Sequence, residues 1–325
     1  MWIWTSRPGF AGDLVEELIG QKPETRGPSL VASERAPERW PTFARAGFEL
    51  AADTTPEAAA AEVVKLLERH PKKPWLLRAW VPDSDETNPL APSATSLGDR
   101  VIVELARTPH DLRRVAKGGD AVRYGGLLVQ LCLVAPDRVL IGVVAANDSP
   151  SLAPGGRSRT KMPVDAPSRA GRKLEEAFEW VGRAPEAGDV CVDLGAAPGG
   201  WTAVLLARRA RVIAVDPAKL AENLRQKKGV AHVQASAFEF TPTEPVDWLF
   251  CDMAWRPMEV AALLAKWGRR KLAQTLVANL KLPMKQRALF AGKVREVVAG
   301  GGWQDVKTRQ LYHDREEITL AAWRT

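Results

Sequence analysis

The chain has 325 residues, which suggests two or three domains, because single domains usually hold roughly 100–200 residues. Hydrophobic residues make up 46% and charged residues 26%, and these proportions argue against a largely disordered, collagen-like or coiled-coil chain. Lys and Arg number 46 against 39 Asp and Glu, so the net charge of +7 favours a polyanionic partner.

The cysteines and the apolar segments indicate the cellular compartment of the protein. Cys132, Cys191 and Cys251 lie about sixty residues apart, so they form neither a disulfide framework nor a CxxC site, and a reducing compartment is expected. The N-terminus lacks a basic leader followed by an apolar run, which predicts no secretory signal. The most apolar stretch, 127–146, is interrupted at Gln130 and falls short of the about 18 residues of a spanning helix. We therefore expect a cytoplasmic protein without a membrane partner.

Residues 1–69 are predicted to form a small α+β unit. A strand is expected at 2–5, a helix follows it after a turn, and a second strand lies within 43–50. The sequence TPE at 55–57 supplies a cap, a proline suited to the first helical position and an acid near the positive end of a second helix. Residues 22–42 are rich in Pro, Arg and Glu without a steady period, so they are predicted to be a surface loop.

A second α+β unit is predicted over residues 70–147. Its predicted elements are a strand at 75–81, a polar loop at 82–96, a helix at 97–106 and strands at 126–134 and 138–145. The last two strands are joined by Ala-Pro-Asp and are predicted to form a hairpin. Residues 148–172 contain several Pro and Gly and no sustained period, which predicts a linker.

Residues 173–325 alternate between helix and strand patterns. Helices are predicted at 173–181, 201–208, 259–267 and 285–298, and strands at 189–194, 211–215, 232–235, 248–252, 274–280 and 318–323. Short apolar strands that alternate with helices predict an α/β domain with a parallel-type sheet covered on both faces.

One motif in this region points to chemistry. Residues 189–202 read DVCVDLGAAPGGWT, an apolar strand followed by a glycine-rich turn and a helix, and a second strand ends in Asp216 about twenty residues later. Glycines let the backbone approach a ligand, and the later carboxylate can accept ribose hydroxyls. A bare Gly-x-x-x-Gly also occurs in ordinary βα turns. The turn lacks the dinucleotide spacing and the Gly-Lys-Ser/Thr of a P-loop, so S-adenosylmethionine fits it better than a nicotinamide cofactor or a triphosphate.

The motif DLGAAPGGWT is similar to the cofactor turn of the FtsJ-like ribose 2′-O-methyltransferases. Further similar stretches are RPGF at 7–10, APSRAGRKLEEAF at 166–178, VDWLFCDM at 246–253, NLKLPMK at 279–285 and RQLYHDREE at 309–317. In this order and over nearly the whole chain they resemble the bacterial enzymes that 2′-O-methylate a cytidine of 23S ribosomal RNA. The resemblance implies a ferredoxin-like domain over 1–69, a THUMP RNA-binding domain over 70–147 and, after the linker at 148–172, a Rossmann-like methyltransferase domain over 173–325.

The resemblance also implies a catalytic set of Lys173, Asp252, Lys281 and Glu316. A ribose 2′-hydroxyl is a very weak acid, so it must be oriented and deprotonated as it attacks the sulfonium methyl in line. Two adjacent lysines and burial would lower the pKa of one amine, whereas Asp252 would raise it, so both protonation states stay open. We take Lys281 as the base.

The cofactor contacts implied by the resemblance lie in the turn and at the following strand ends. They are Ser168, Asp193, Gly195, Ala197, Pro198, Gly199, Gly200, Trp201, Asp216, Ser236 and Asp252. Ser236 departs from the family pattern, which usually has an acid there to accept the adenine amino group. A serine hydroxyl can still accept one hydrogen bond, but it lacks the charge.

Each catalytic candidate also has a plain structural interpretation. Taken alone, Lys173 could be a solvated helix residue and Glu316 could be part of a charged turn. Asp252 and Lys281 each follow an apolar strand and face the ligand edge of a sheet, so a purely structural role is less expected for them. His313 is expected to be structural, because no nucleophile or second ligand accompanies it. No metal is implied, since no cluster of His, Cys and carboxylates is visible.

Basic residues are concentrated at 157–173 and 266–287, next to the two candidate lysines, which suggests a phosphate-lined path to the site. Most of the twelve tryptophans are expected in packing, with Trp201 shaping the cofactor turn. The favoured partner is 23S ribosomal RNA, free or partly assembled, with no obligate protein partner. A different RNA target, or a non-catalytic RNA-binding assembly factor, remains as an alternative.

Overall fold

The computed structural model describes residues 1–107, 118–160, 168 and 170–324. These residues divide into two compact units, Met1–Ser158 and Arg159–Thr325. Along the described residues, none of the helices combines the length and apolarity that a bilayer crossing requires.

The first unit is built on one sheet whose described strands follow the order β2-β3-β1-β4-β7-β6-β5. The strands are β1 (Trp2–Thr5), β2 (Glu24–Gly27), β3 (Leu30–Ser33), β4 (Ala46–Thr54), β5 (Trp75–Trp80), β6 (Leu127–Ala135) and β7 (Arg138–Ala145). The helices are α1 (Ala11–Glu17), α2 (Ala59–Glu68), α3 (Ala91–Leu105) and α4 (Gly118–Arg123). Neighbouring strands are antiparallel except β5 and β6, which are parallel.

A hydrophobic core lies between this sheet and the helices α2 and α3. Its members include Val63 and Leu67 of α2, Leu97 and Val101 of α3, and Val129 of β6, all buried. The apolar residues of α2 recur at three- and four-residue intervals, so one side of the helix faces the sheet. Gln130 is buried in the middle of β6, where its side-chain oxygen accepts the indole N–H of Trp80 at 2.8 Å.

Most predicted elements of the first unit are confirmed. The strand at 2–5 and the hairpin of β6 and β7 agree with the structure. The loop prediction for 22–42 was wrong, because that segment contains β2 and β3, and four-residue strands are too short to show a period. The helix predicted at 97–106 begins earlier, at Ala91, since a proline is tolerated in a first helical turn.

The predicted boundary at residue 69 falls within a single sheet. β4, from the first predicted domain, pairs antiparallel with β7 of the second. Residues 149–158, predicted as linker, pack on this unit, because the carbonyl of Leu152 accepts the Arg78 Nε–H at 2.9 Å. The assignment of a ferredoxin-like and a THUMP domain stays a prediction.

The second unit is a Rossmann-like α/β fold whose described strands follow the order β10-β9-β8-β11-β12-β14-β13. The strands are β8 (Val190–Leu194), β9 (Arg211–Val215), β10 (Val230–Val233), β11 (Val246–Cys251), β12 (Ala273–Lys281), β13 (Gln304–Arg309) and β14 (Glu317–Trp323). The helices are α5 (Gly171–Val181), α6 (Gly200–Ala207), α7 (Glu222–Arg225), α8 (Pro257–Arg269) and α9 (Arg287–Ala299).

The strands from β10 to β12 are parallel, so they all end at one edge of the sheet, which we call the carboxyl edge. β14 runs antiparallel to β12 and begins at that same edge. The predicted helices and strands are confirmed to within a few residues. β13 was missed because its sequence, QDVKTR, is polar and carries no apolar run.

Aromatic side chains pack the core of the second unit. Phe178 contacts Trp248 and Phe250 edge-on, Trp248 stacks on Phe250 with ring centroids 5.6 Å apart, and Trp201 meets Phe250 edge-on. Trp267 is 1% exposed, as expected of a packing residue. The thiols of Cys132, Cys191 and Cys251 are buried and free, and burial raises the pKa of each.

Candidate active site

The turn between β8 and α6 needs its glycines. Gly195 and Gly199 have positive φ angles of 79° and 115°, which other residues rarely adopt. A Cβ at Gly199 would lie 2.2 Å from Leu224 Cδ1, and one at Gly200 would lie 2.1 Å from Ser168 Oγ. The side chains of Leu224 and Ser168 therefore pack directly against the turn, and the backbone of the turn continues into the N-terminus of α6.

Two predicted cofactor residues lie beneath this turn. Asp193 is fully buried and accepts the Thr202 hydroxyl at 2.7 Å, which joins β8 to the first turn of α6. Burial raises the pKa of Asp193 to about 7. Trp201 is 3% exposed, and its indole N–H donates to the Ala170 carbonyl at 3.0 Å. Both buried side chains therefore help to hold the conformation of the turn.

Asp216 fixes the other side of the turn. It follows β9, and its carboxylate accepts the backbone N–H of Ala197 at 3.0 Å and that of Ala218 at 2.8 Å. Each carboxylate oxygen keeps a further lone pair that can accept a hydroxyl group. Pro198 belongs to the same turn, since its carbonyl accepts the backbone N–H of Ala221 at 2.9 Å.

The two predicted serines each accept a local backbone hydrogen bond. Ser236, after β10, accepts the N–H of Phe238 at 3.3 Å. Ser168 accepts the N–H of Ala170 at 3.3 Å, and its hydroxyl lies against Gly200. Both hydroxyls keep a proton that they can donate to a ligand.

Four charged side chains form a cluster at the carboxyl edge. Lys173 comes from α5, Asp252 follows β11, Lys281 ends β12 and Glu317 begins β14. One carboxylate oxygen of Glu317 accepts from the Lys173 ammonium group and the other accepts from Lys281. The side chain of Glu317 is 7% exposed, Lys173 is 18% exposed and Lys281 is 51% exposed, so Lys281 faces outward from the cluster.

The strand pairing explains why these residues meet. β14 runs antiparallel to β12, so its first residue, Glu317, lies directly beside Lys281, the last residue of β12. β11 and β12 are adjacent and parallel, which brings Asp252 to the same edge.

Burial and charge act against each other in this cluster. Burial alone would lower the pKa of Lys173, but Asp252 and the hydrogen-bonded Glu317 outweigh it and raise that pKa. Burial would raise the pKa of Glu317, yet the hydrogen bonds from both lysines hold it below its usual value. Burial raises the pKa of Asp252 despite the nearby lysines. At neutral pH, Lys173 and Glu317 therefore form a charged pair.

Glu316, which the sequence analysis placed in this cluster, lies outside it. Its side chain is 65% exposed and pairs with Arg287 at 3.2 Å. Adjacent residues of extended chain point to opposite sides, so of two consecutive glutamates only Glu317 can reach the lysines. The motif alone does not define the register of β14 against β12, so the sequence does not distinguish Glu317 from Glu316.

A second group of buried acids supports the cluster, and sequence reasoning missed it. Glu176, 3% exposed on α5, accepts the backbone N–H groups of Tyr312 and His313, and its Oε2 lies 2.7 Å from His313 Nδ1. Asp314 is fully buried and accepts the N–H of Leu311 at 2.9 Å, and burial raises its pKa well above the usual value. These contacts hold the 311–314 segment against α5 and give His313 a structural partner.

The predicted basic path is not one surface. In the second run, four cations, namely Lys266, Arg269, Arg270 and Lys271, precede β12, whereas Lys281 ends it and Lys285 and Arg287 follow it. The nine residues of β12 separate the two groups by about 30 Å. In the first run, Lys161 and Arg169 lie outside the described residues, and Arg157 donates to the Val81 carbonyl in the first unit.

No group of three or more His, Cys, Asp or Glu side chains suited to a metal ion occurs among the residues that the structure describes. The arrangement instead combines a glycine turn, a carboxylate on the next strand and a lysine-carboxylate cluster at one edge of the sheet. Such a site can hold a nucleoside and move a proton beside it.

Comparison with known proteins agrees with this geometry. The model of the FtsJ-like methyltransferase family matches residues 166–287. Curated relatives that match this chain carry the name ribosomal RNA large subunit methyltransferase M. The protein from Alkalilimnicola ehrlichii is 34% identical, over 99% of this chain and 94% of its own length. Those from Xylella fastidiosa and Teredinibacter turnerae are 36% and 40% identical, over 86% and 73% of this chain and 80% and 67% of theirs.

Proposed function

The chain belongs to the family of ribosomal RNA large subunit methyltransferase M, and on that premise we propose that it methylates the 2′-hydroxyl of a cytidine in 23S ribosomal RNA. The family makes it a methyltransferase that uses S-adenosylmethionine. The observation that carries the proposal is the Glu317 carboxylate held between Lys173 and Lys281, beside Asp252, at the carboxyl edge.

The residues around the turn suit an adenosyl group. Asp216 is held in place by the N–H groups of Ala197 and Ala218 and keeps lone pairs for two ribose hydroxyls. Gly195 and Gly199 have no side chains, so the cofactor could approach the backbone of the turn closely. Ser236 would accept one hydrogen bond from the adenine. When bound, S-adenosylmethionine supplies a methyl group on a positively charged sulfur.

The charged cluster would activate the substrate hydroxyl. Lys173 is protonated at neutral pH, so it cannot accept a proton. Glu317 is an ionised carboxylate, but the hydrogen bonds from both lysines lower its pKa and make it a weak base. Lys281 is the outward-facing lysine, and in its neutral form it would accept the 2′-hydroxyl proton as the oxygen attacks the methyl carbon. Glu317 then stabilises the ammonium group that results, and Asp252 orients the hydroxyl. In this mechanism the fourth catalytic residue is Glu317 rather than Glu316.

The first unit would recognise the RNA. We assign it the ferredoxin-like domain of residues 1–69 and the THUMP domain of residues 70–147, and the chain's net charge of +7 suits an RNA partner. The proposed substrate is free or partly assembled 23S RNA in the cytoplasm, since a THUMP domain needs exposed RNA to grip.

Methyl transfer from labelled S-adenosylmethionine to unmodified 23S RNA tests the proposal. The wild-type protein should label one nucleotide, which nuclease digestion should identify as a 2′-O-methylated cytidine. Lys281→Ala should abolish labelling and keep cofactor affinity, whereas Lys285→Ala, which removes a lysine four residues away, serves as the matched control. Label on a base, or full activity of Lys281→Ala, would contradict the proposed chemistry.

A further inference from the structure

Trp255 is the exposed tryptophan of this chain. All twelve tryptophans lie in the described residues, and the other eleven are buried or half-buried, whereas Trp255 is 53% exposed. An exposed indole is a large apolar surface left in water, so its position on the molecule calls for an explanation.

The indole is held in a defined orientation. Its N–H donates to Glu259 Oε2 at 2.7 Å, and Arg256 donates to the other oxygen of the same carboxylate at 3.0 Å. The ring lies against Phe238, with ring centroids 5.8 Å apart and planes tilted by 55°. The side chain is therefore oriented before any ligand arrives, which lowers the entropy cost of binding.

Trp255 lies next to the reacting groups. It follows Asp252 by three residues, so its Cα is within about 10 Å of that residue. Its N–H partner, Glu259, lies in the first turn of α8, and α8 packs on β12, the strand that ends in Lys281. Trp255 thus lies in the segment that joins Asp252 to α8 at the carboxyl edge, and the base of a ribose held at Asp252 would come within reach of the indole.

We propose that Trp255 stacks on a nucleobase of the RNA substrate, at or next to the nucleotide that is methylated. Single-stranded RNA is commonly recognised by stacking unpaired bases on aromatic rings, and stacking tolerates any base because every base has a flat face. Trp255 is a positioning residue in this scheme, because it holds the base while the charged cluster acts on the ribose. The inference rests on the proposed function.

Steady-state methyl transfer to unmodified 23S RNA, combined with calorimetric binding of S-adenosylhomocysteine, tests this role. Trp255→Ala should lower kcat/KM for the RNA about 10- to 100-fold. Trp255→Phe keeps an aromatic face and should restore most of the loss. Met258→Ala removes a neighbouring exposed side chain that is not aromatic, and should match the wild type. The affinity for S-adenosylhomocysteine should stay within about twofold in all three variants.

Other results would overturn the inference in distinguishable ways. A loss of S-adenosylhomocysteine affinity in Trp255→Ala would assign the indole to the cofactor adenine. Unchanged kcat/KM in Trp255→Ala would remove the stacking role and leave the proposed function intact. An inactive wild-type protein would contradict the proposed function, and the stacking role with it.

Discussion

The two units of the chain bury charge in different ways. In the first unit the Arg45 side chain is 2% exposed and pairs with one oxygen of Asp83 at 2.7 Å, and Arg157, 27% exposed, pairs with the other oxygen at 3.4 Å. Burial lowers the pKa of Arg45, and Asp83 offsets part of that effect. In the second unit Glu317 is shared between two lysines, one of which is half-exposed. A carboxylate whose cations are both mostly covered supports the fold, whereas one that holds a half-exposed lysine can act on a substrate.

The difference can be tested most strongly at Glu317. Glu317→Gln removes the charge that holds Lys173 and would stabilise the ammonium group formed on Lys281. We expect methyl transfer to fall about 10²- to 10⁴-fold, as for the loss of a group in acid-base catalysis. Glu316→Gln changes the neighbouring, exposed glutamate and is the matched control, with an expected change below about twofold. Single-turnover rates at saturating cofactor measure both, and equal losses in the two variants would refute the assignment of Glu317.

Asp193 offers a second test within the same unit. Burial raises the pKa of its carboxyl to about 7, so the folded protein keeps this proton up to that pH. The unfolded chain releases it near pH 4, and the free energy of unfolding should therefore fall as the pH rises from 4 to 7, by up to about 4 kcal/mol. Asp193→Asn should remove this dependence. Urea unfolding across that pH range measures it, and parallel curves for the two proteins would contradict the expectation.

Local patterns were enough to predict the parallel strands β8, β9, β11 and β12, because each is a short apolar run bounded by turn residues. The polar edge strand β13 carries no such signal. The position of the antiparallel β14 against β12 is a long-range property, since the paired residues Lys281 and Glu317 lie 36 positions apart.

The same limit applies to the site. The glycine turn and Asp216 follow from spacing along the chain, so sequence reasoning could find them. The choice between Glu316 and Glu317 depends on which side of an extended strand faces the lysines, which only the pairing defines. The orientation of Trp255 depends on a contact with Phe238, seventeen residues away, that no local motif encodes.

The buried pair of the first unit should affect stability rather than chemistry. Asp83→Asn leaves the buried Arg45 guanidinium without its carboxylate, and we expect the free energy of unfolding to fall by about 2–3 kcal/mol. This expected loss of unfolding free energy is smaller than the loss for a fully buried pair, because the Asp83 side chain is 21% exposed. Urea unfolding measures the loss, and the affinity for S-adenosylhomocysteine should not change. A weaker cofactor affinity would mean that this pair also acts on the second unit.

An exposed ion pair in the same sheet gives the smallest effect. Arg138 donates to both oxygens of Asp53, at 2.9 and 2.6 Å, across the paired strands β4 and β7, but the two side chains are 54% and 41% exposed. The hydrogen bond from Arg138 lowers the pKa of Asp53. The pair therefore contributes to the free energy of unfolding above about pH 4, and this contribution is lost as the pH falls through the folded-state pKa. Because water and salt screen exposed charges, Asp53→Asn should cost only about 0.5 kcal/mol at pH 7. Urea unfolding in low and high salt measures this loss of unfolding free energy. The loss caused by Asp53→Asn should become smaller in high salt, whereas the loss caused by Asp83→Asn should stay the same. If the two substitutions cost the same at high salt, burial is not what separates the two pairs.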